Sequence, residues 1–420
     1  MLTPALLCAL ALAALVGFTK FACWPLPVAL AGTAVLVGIV GAADVPMRHF
    51  VEGGFGYLNL ILALFAGAWF GHSMHASGAT DALASRILWL TGARPIPTLS
   101  AIGVLLYVTG MFVGIAGVAV LVIGVFAKPA LERVGLESHQ AAAFVAIEAT
   151  CGMIAPPVNV PAMMIADGVN MPFLDFARTL LAISVPVASF TVWLFARRCA
   201  PRAALSFEPQ VFQRAQLLFP LAATLAFWLA LRLFPDRIYD PGVPIVLVVA
   251  ALLITPFMRS RDRIAALQET FSGVPVFLAA ALVAVGMLLQ IMTLTGMRGW
   301  LVMQTLASES PWLHVLLVSL PLFGGVLTSA GAANLLGVPF AFAFIDQDMI
   351  INVSALSSIA AIAEFMPPTA IGAALSGYVI GAPSLWRICR AAWPSLVLLA
   401  AISLGLIVFA KPLARFLVGS

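Results

Sequence analysis

The chain has 420 residues, of which 63% are hydrophobic and 9% charged, with a net charge of +4 and a mean hydropathy of +1.10. Soluble domains run at about 45–50% apolar and about 25% charged residues, so this composition excludes a soluble globular protein and specifies an integral membrane one. The apolar runs are long, which suits helices rather than the ~10-residue alternating strands of a β-barrel.

Other classes fall away on the same reading. The basic residues sit in loops, where membrane topology uses them, and no nucleic-acid partner is expected. The five cysteines are scattered without CxxC spacing, so neither a disulfide framework nor a transition-metal site is expected. There is no GxGxxG, Walker, HExxH or GxSxG pattern. An enzyme, an ATPase or a cofactor-dependent protein is therefore not expected.

A membrane helix needs about 20 apolar residues. Spans are expected near 3–19, 23–43 and 55–76. The opening MLTPALLCALALAALVGF has no basic n-region and leads straight into further spans, so it reads as a first helix rather than a signal peptide. Ser77–Thr91 is more polar, with Leu83, Ile87 and Leu90 at helical spacing, and suits an interfacial helix. The apolar segment 95–127 has 33 residues. Two spans and a turn would need over ~40, so a re-entrant hairpin with its tip at Gly114–Gly117 is expected.

The run 138–168 would be one span but for CGMIAPPVNVP at 151–161. Proline lacks the amide proton and clashes with the preceding turn, so Pro156, Pro157 and Pro161 must break this helix. Broken backbone at membrane depth is tolerated where it is buried in protein or lines a wet cavity. A short amphipathic piece at 173–180 and a span to about 196 complete the half.

After a loop at 197–213 the order recurs. Spans are expected near 215–234, 243–258 and 270–294, then an interfacial stretch at 295–307. A second hairpin at 312–344 carries FGGVLTSAGAAN, and a second broken helix at 349–381 carries AEFMPPT. A last span covers 392–410. Pro156-Pro157 and Pro367-Pro368 are the only Pro-Pro pairs, 211 residues apart, and the same offset takes Phe112 to Phe323, Gly114 to Gly325 and Pro172 to Pro383. Two repeats, 1–196 and 214–420, joined by a cytoplasmic linker at 197–213, follow.

Lys and Arg favour cytoplasmic loops. Arg197, Arg198, Arg202 and Arg214 mark one, and Arg259, Arg261 and Arg263 another. The base of the first hairpin, with Arg94, Lys128 and Arg133, falls on the same side. The base of the second, with Glu309, Asp346 and Asp348 beside only Arg298, falls on the other, as does the amino terminus. Lys411 and Arg415 fall outside against the rule. Inverted repeats with discontinuous helices are the pattern of a secondary transporter with a midplane site.

Half-helix amino ends suit a carboxylate, and unwound carbonyls suit Na⁺. Asn159, Thr328, Ser329, Asn334 and Thr369 are the candidate polar ligands, with a helix-packing hydrogen bond as the competing role of each. Glu148 and Glu364 are carboxylates within spans, which mark function by default. Glu364 lies just before Met366-Pro367-Pro368 and is placed to sit beside an ion or carry a proton. Glu148, two turns before Pro156, suits the domain interface. Asp167 is expected in solvent, and His72 and His75 at the interface.

FVGIAG at 112–117, HQAAAFVAIEATCGMIAPPVNVPAMMIADG at 139–168, SALSSIAAIAEFMPPTAIGAALSGYVIGAP at 354–383 and ASGATDALA at 76–84 resemble the large permease (M) subunit of TRAP transporters, within the wider ion-transporter superfamily. The resemblance implies an all-α elevator-type transporter of the bacterial inner membrane, taking up an organic acid with Na⁺ as coupling ion. It implies two partners, a periplasmic substrate-binding protein and a small four-helix membrane subunit. By motif position Gly114 and Gly117 with Pro156 and Pro157 would build one cation site. Thr328 to Gly331 with Pro367, Pro368 and Thr369 would build the other. The first tip lacks the hydroxyls common in the family, and Glu364 stands where an uncharged residue is common, which leaves proton coupling open. Alternatives are a stand-alone sodium- or proton-coupled carrier and, in another class, a channel or membrane scaffold.

Overall fold

The computed structural model describes residues 3–42, 45–199, 218–234, 236–307, 312–344, 347–367 and 369–417, and every regular element among them is helical. The linker from residue 200 to 217, together with Pro368, Glu309, Asp346, Arg202 and Arg214, lies outside the described residues.

The first half begins with α1 (Pro4–Val16, carried on by a π turn to Phe21), α2 (Leu26–Ala42), α3 (Met47–Phe55), α4 (Leu58–Ser77) and α5 (Ala79–Thr91). Then come α6 (Pro95–Val113), α7 (Ala116–Ala119) and, through a π turn at 120–124, α8 (Val125–Arg133). The half ends with α9 (Ser138–Ile154), α10 (Val160–Gly168) and α11 (Ala177–Ala196).

The second half begins with α12 (Phe219–Leu233), α13 (Val243–Ile254), α14 (Ser260–Thr270), α15 (Gly273–Leu294) and α16 (Met297–Ala307). Next are α17 (Trp312–Ala332) and, through a π turn at 333–337, α18 (Val338–Ala343). The last are α19 (Met349–Ala361, tightening to a 3₁₀ turn through Phe365), α20 (Ile371–Ile380), α21 (Leu385–Val408) and α22 (Ala410–Leu417).

Among the described residues six helices are long and apolar enough to cross a membrane, or seven if the pair α3 and α4 is one span bent by 42°. α4 matches the third span expected at 55–76, and the bend lies at its start, where α3 adds a helix not expected from the sequence. Gly53, Gly54 and Gly56 surround it, and Gly56 caps α3. The basic stretch after α13 is also no plain loop, since α14 fills 260–270. The piece expected at 173–180 does not form. Asn170 and Asp175 take left-handed backbone angles around Pro172, and the helix begins only at Ala177. The last span starts at Leu385, seven residues before the expected point, and carries Pro394 inside it, as membrane helices tolerate.

The packing is reciprocal between the halves. α3 and α2 lie against α15, while α14 and α13 lie against α4. The α3–α15 crossing is glycine on glycine, for a Cβ on Gly53 would stand 2.5 Å from the carbonyl oxygen of Gly286. Small residues let membrane helices approach this closely. A second group forms around the two broken helices: α9 packs on α6, α11, α20 and α21, and α19 on α17, α10 and α21. Residues 141–154 of α9 and 351–361 of α19 are all buried, since their Ala- and Ser-rich sequence offers neighbours on every side. The two groups meet where α4 touches the π turn at 120–124 and α15 touches α17.

Candidate functional site

Each tip, the turn at Gly114 and the kink at Thr328, sits on the helix break that follows it. α6 ends at Gly114, whose N–H closes the last helical bond on the Gly110 carbonyl at 2.7 Å and whose left-handed φ of +70° then turns the chain out of the helix. A Cβ there would stand 2.5 Å from the Val158 side chain and 3.1 Å from its carbonyl oxygen, in the first break. The equivalent contact 211 residues later is Gly325 with Thr369. The Thr369 N–H and hydroxyl both donate to the Gly325 carbonyl, at 2.9 and 2.8 Å. The second tip itself turns on one residue, Thr328, at φ 72° and ψ 162°. β-branched residues rarely adopt positive φ, and such strain concentrates at ligand clamps and switches.

The tips also cross between halves. Gly117 packs on Ile371 and Leu375 of α20, and Gly337 packs on Ile165 of α10. The result is a cavity of about 190 Å³ among the described residues. Four helix starts line it: Gly117 in α7, Val160 and Pro161 in α10, Ser329 and Ala330 just after the kink, and Ile371 in α20. The first N–H groups of a helix lack intrahelical partners and carry partial positive charge. No Lys, Arg or His lines the cavity among the described residues, and at three of the ends one early N–H is already taken, Ala162 by Asn159, Gly331 by Thr328 and Gly372 by Glu364.

The cavity's one acid is Glu364, 6% exposed. Its Oε1 accepts from the Ser329 hydroxyl at 2.7 Å and its Oε2 from the Gly372 N–H at 2.9 Å. The carboxyl thus occupies the amino end of α20 and ties the second break to the second tip.

Of the other residues singled out in sequence, Gly114, Gly117, Thr328 and Ser329 line the cavity. Gly331 stands behind the kink, its N–H donating to Thr328 Oγ1 at 3.2 Å. Thr369 is buried and engaged with Gly325. Pro156 and Pro157, joined by a cis peptide, are partly buried, and Pro367 is exposed. Asn159 does not line the cavity. It caps α10 by accepting from Ala162 N–H at 2.9 Å, donates to the Ile154 carbonyl at 2.9 Å, and reaches Ser357 of α19 at 3.4 Å. Asn334 does not line it either, for Arg298 holds its side-chain and backbone oxygens. Glu148 lies apart, between α6, α9 and α11. Asp167 is exposed, His72 pairs with Glu269 at 3.1 Å, and His75 contacts Thr80 at 3.3 Å.

Sequence reasoning missed the far wall. Gly56, Tyr57 and Asn59, at the bend between α3 and α4, face the tips across the cavity with Leu282 of α15. The Tyr57 hydroxyl hydrogen-bonds Thr328 and stands close behind Gly331. A faint signal was present: GGFGYLN puts one of only four tyrosines and an asparagine at the mouth of an apolar run.

No family model matches the chain, and no curated protein matches it. Among solved structures it is similar to the YdaH transporter of Alcanivorax borkumensis, whose crystal structure was described as having an unusual topology. The TM-score is 0.54 at 16% identity, over 91% of this chain and 97% of that one. With its apolar helices, this likeness shows a multi-pass, all-α membrane protein of transporter fold.

Proposed function

We propose that this chain is the membrane carrier of a secondary active system that takes up a small carboxylate, coupled to Na⁺. The observation that carries the reading is the convergence of four half-helix amino ends and one buried carboxyl on a single cavity. Amino ends bind carboxylates through oriented N–H groups without needing a basic side chain. Glu364 gives the coupling. An ionised Glu364 repels an incoming carboxylate in a cavity walled by buried protein, where charges interact more strongly than in water. A cation beside Glu364 removes that repulsion, so anion and cation bind together or not at all. The cavity is smaller than the ~300–1,000 Å³ of drug-sized pockets, which favours a solute of few heavy atoms.

The cavity lies between two groups of elements. Hairpins and broken helices, α6–α11 and α17–α21, form the moving body of an elevator in this reading, and α1–α5 with α12–α16 form its scaffold. The TRAP resemblance adds a bacterial inner membrane, a periplasmic binding protein that delivers the carboxylate, and a small four-helix subunit against the scaffold. The chain acts as a carrier and not as an enzyme.

A second reading is a stand-alone sodium- or proton-coupled carrier. The buried carboxyl of Glu364 in the cavity wall favours it, and Glu364 would then be the proton site. Uptake of a carboxylate panel into proteoliposomes separates the two. The first reading expects uptake that needs an inward Na⁺ gradient together with extracts supplying a binding protein and a small subunit. Uptake driven by a pH gradient alone, without partners, establishes the second. Ion conductance without solute uptake refutes both.

A further inference from the structure

The other carboxyl inside the membrane body, Glu148, is in a different state from Glu364. It is 1% exposed, its Oε1 has no hydrogen-bond partner, and it belongs to no ion pair among the described residues. Leaving a carboxyl buried and unmatched is expensive, and here it lines a crevice with room for a partner. The crevice has a volume of about 460 Å³, more than twice that of the central cavity.

Its walls come from one face of each of two helices. α6 supplies Gly103, Val104 and Tyr107, and α11 supplies Val185, Ser189 and Trp193. The floor is open because residue 103 is glycine. A Cβ there would stand 3.3 Å from both the Glu148 Cδ and Oε2. The mouth is apolar: Val104 is 60% exposed, Val185 46% and Trp193 43%. α6 and α11 are both long and apolar enough to be spans, and Gly103 and Glu148 lie near the middle of their helices. This mouth therefore opens to acyl chains rather than to water.

We propose that the crevice between α6 and α11 is a lateral binding site for an amphiphilic amine, whose protonated nitrogen pairs with Glu148 while its alkyl chain runs out between Val104 and Val185 into the bilayer. A protonated amine brings the charge and the N–H that this unpaired carboxyl lacks, meeting it on the Gly103 side, where Oε2 lies. The Tyr107 hydroxyl is already paired with Ser184 at 2.6 Å, and the Trp193 ring carries the Arg197 guanidinium 3.8 Å above it. The polar contacts left open are thus Glu148 and the hydroxyls of Ser100 and Ser189. An anion meets only the carboxyl here, and a neutral alcohol gains no charge pairing. The site is separate from the central cavity, and its existence does not depend on what that cavity carries.

The test is protection from chemical modification in nanodiscs, read by mass spectrometry of the Glu148 peptide. Dicyclohexylcarbodiimide, a lipophilic carboxyl reagent, is expected to label Glu148, and a water-soluble carbodiimide is not. N,N-dimethyldodecylamine, which is cationic at neutral pH and does not itself form amides, is expected to slow labelling at least tenfold, with dodecanol at the same membrane concentration having no effect. Gly103→Leu, which fills the floor, is expected to abolish labelling. Labelling that the amine does not slow would overturn the proposal, as would equal labelling by the water-soluble reagent or none by the lipophilic one. The wild-type measurements decide it even if the Leu variant does not fold.

Discussion

The Ser329 hydroxyl donates to Glu364 Oε1 at 2.7 Å, so the tip of the second hairpin is fastened to the carboxyl of the second helix break. The two residues are 35 positions apart and come from elements that a moving tip would separate. A hydrogen bond to a charged group contributes about 1.5–3 kcal/mol. Ser329→Ala and Glu364→Gln are each expected to lower cation-driven uptake about tenfold or more. The double variant is expected to be little worse than either, because the pair acts as a unit. Initial uptake rates in proteoliposomes read this out, and additive losses would show the two residues acting independently.

Asn159 was a candidate ligand in sequence, and its structural contacts are those of a cap and a cross-strut between the broken helices. Losing an N-cap costs about 0.5–2 kcal/mol. Asn159→Ala is expected to lower the melting temperature in detergent while leaving the KM for substrate unchanged. A KM raised tenfold at unchanged stability would make Asn159 a substrate ligand after all.

Tyr57→Phe removes only the hydroxyl that meets Thr328. A neutral hydrogen bond contributes about 0.5–1.5 kcal/mol net, or roughly 2- to 10-fold in an opening equilibrium. Amide hydrogen exchange over 325–334 is expected to speed up by that factor, with 112–117 at the first tip unchanged as an internal reference. Equal change at both tips would mean a general loss of packing instead.

Gly114 is held at φ +70° and has no room for a Cβ against Val158. The left-handed conformation alone costs an L-residue roughly 1–2 kcal/mol, and the close contact adds to it. Gly114→Ala is expected to reduce both melting temperature and uptake. Gly325→Ala is expected to do the same, since a Cβ there would lie 2.6 Å from the Pro367 carbonyl oxygen. Gly405→Ala, with nothing within 4 Å, is the control and is expected to change neither.

The outline of this fold is legible because its signals are local. A run of apolar residues long enough to span a bilayer, a proline that cannot donate, and a glycine that permits a left-handed turn each act where they stand. Thus 151–161 and 363–369 marked the breaks, and Gly114 marked the first tip. Where a local rule misled, another local term outweighed it. The amphipathic pattern at 173–180 lost to Pro172 and the left-handed Asn170 and Asp175.

By itself, then, the sequence determined a membrane protein of helices, two of them broken, with a tip ahead of each break and the same order in both halves. The tertiary structure alone decided which polar groups face the cavity. Helical spacing predicts a side chain's direction only while the helix continues, and each candidate follows or abuts a break where that register is lost. After the Thr328 kink, Ser329 turns inward to Glu364, while Asn334 is drawn aside by Arg298. After the first break, Asn159 folds back onto its own helix end. Tyr57 and Asn59 reach the site only because α3 and α4 bend there, opposite the tips. The two buried acids look alike along the chain, and only packing gives Glu364 two donors and leaves Glu148 facing an open crevice.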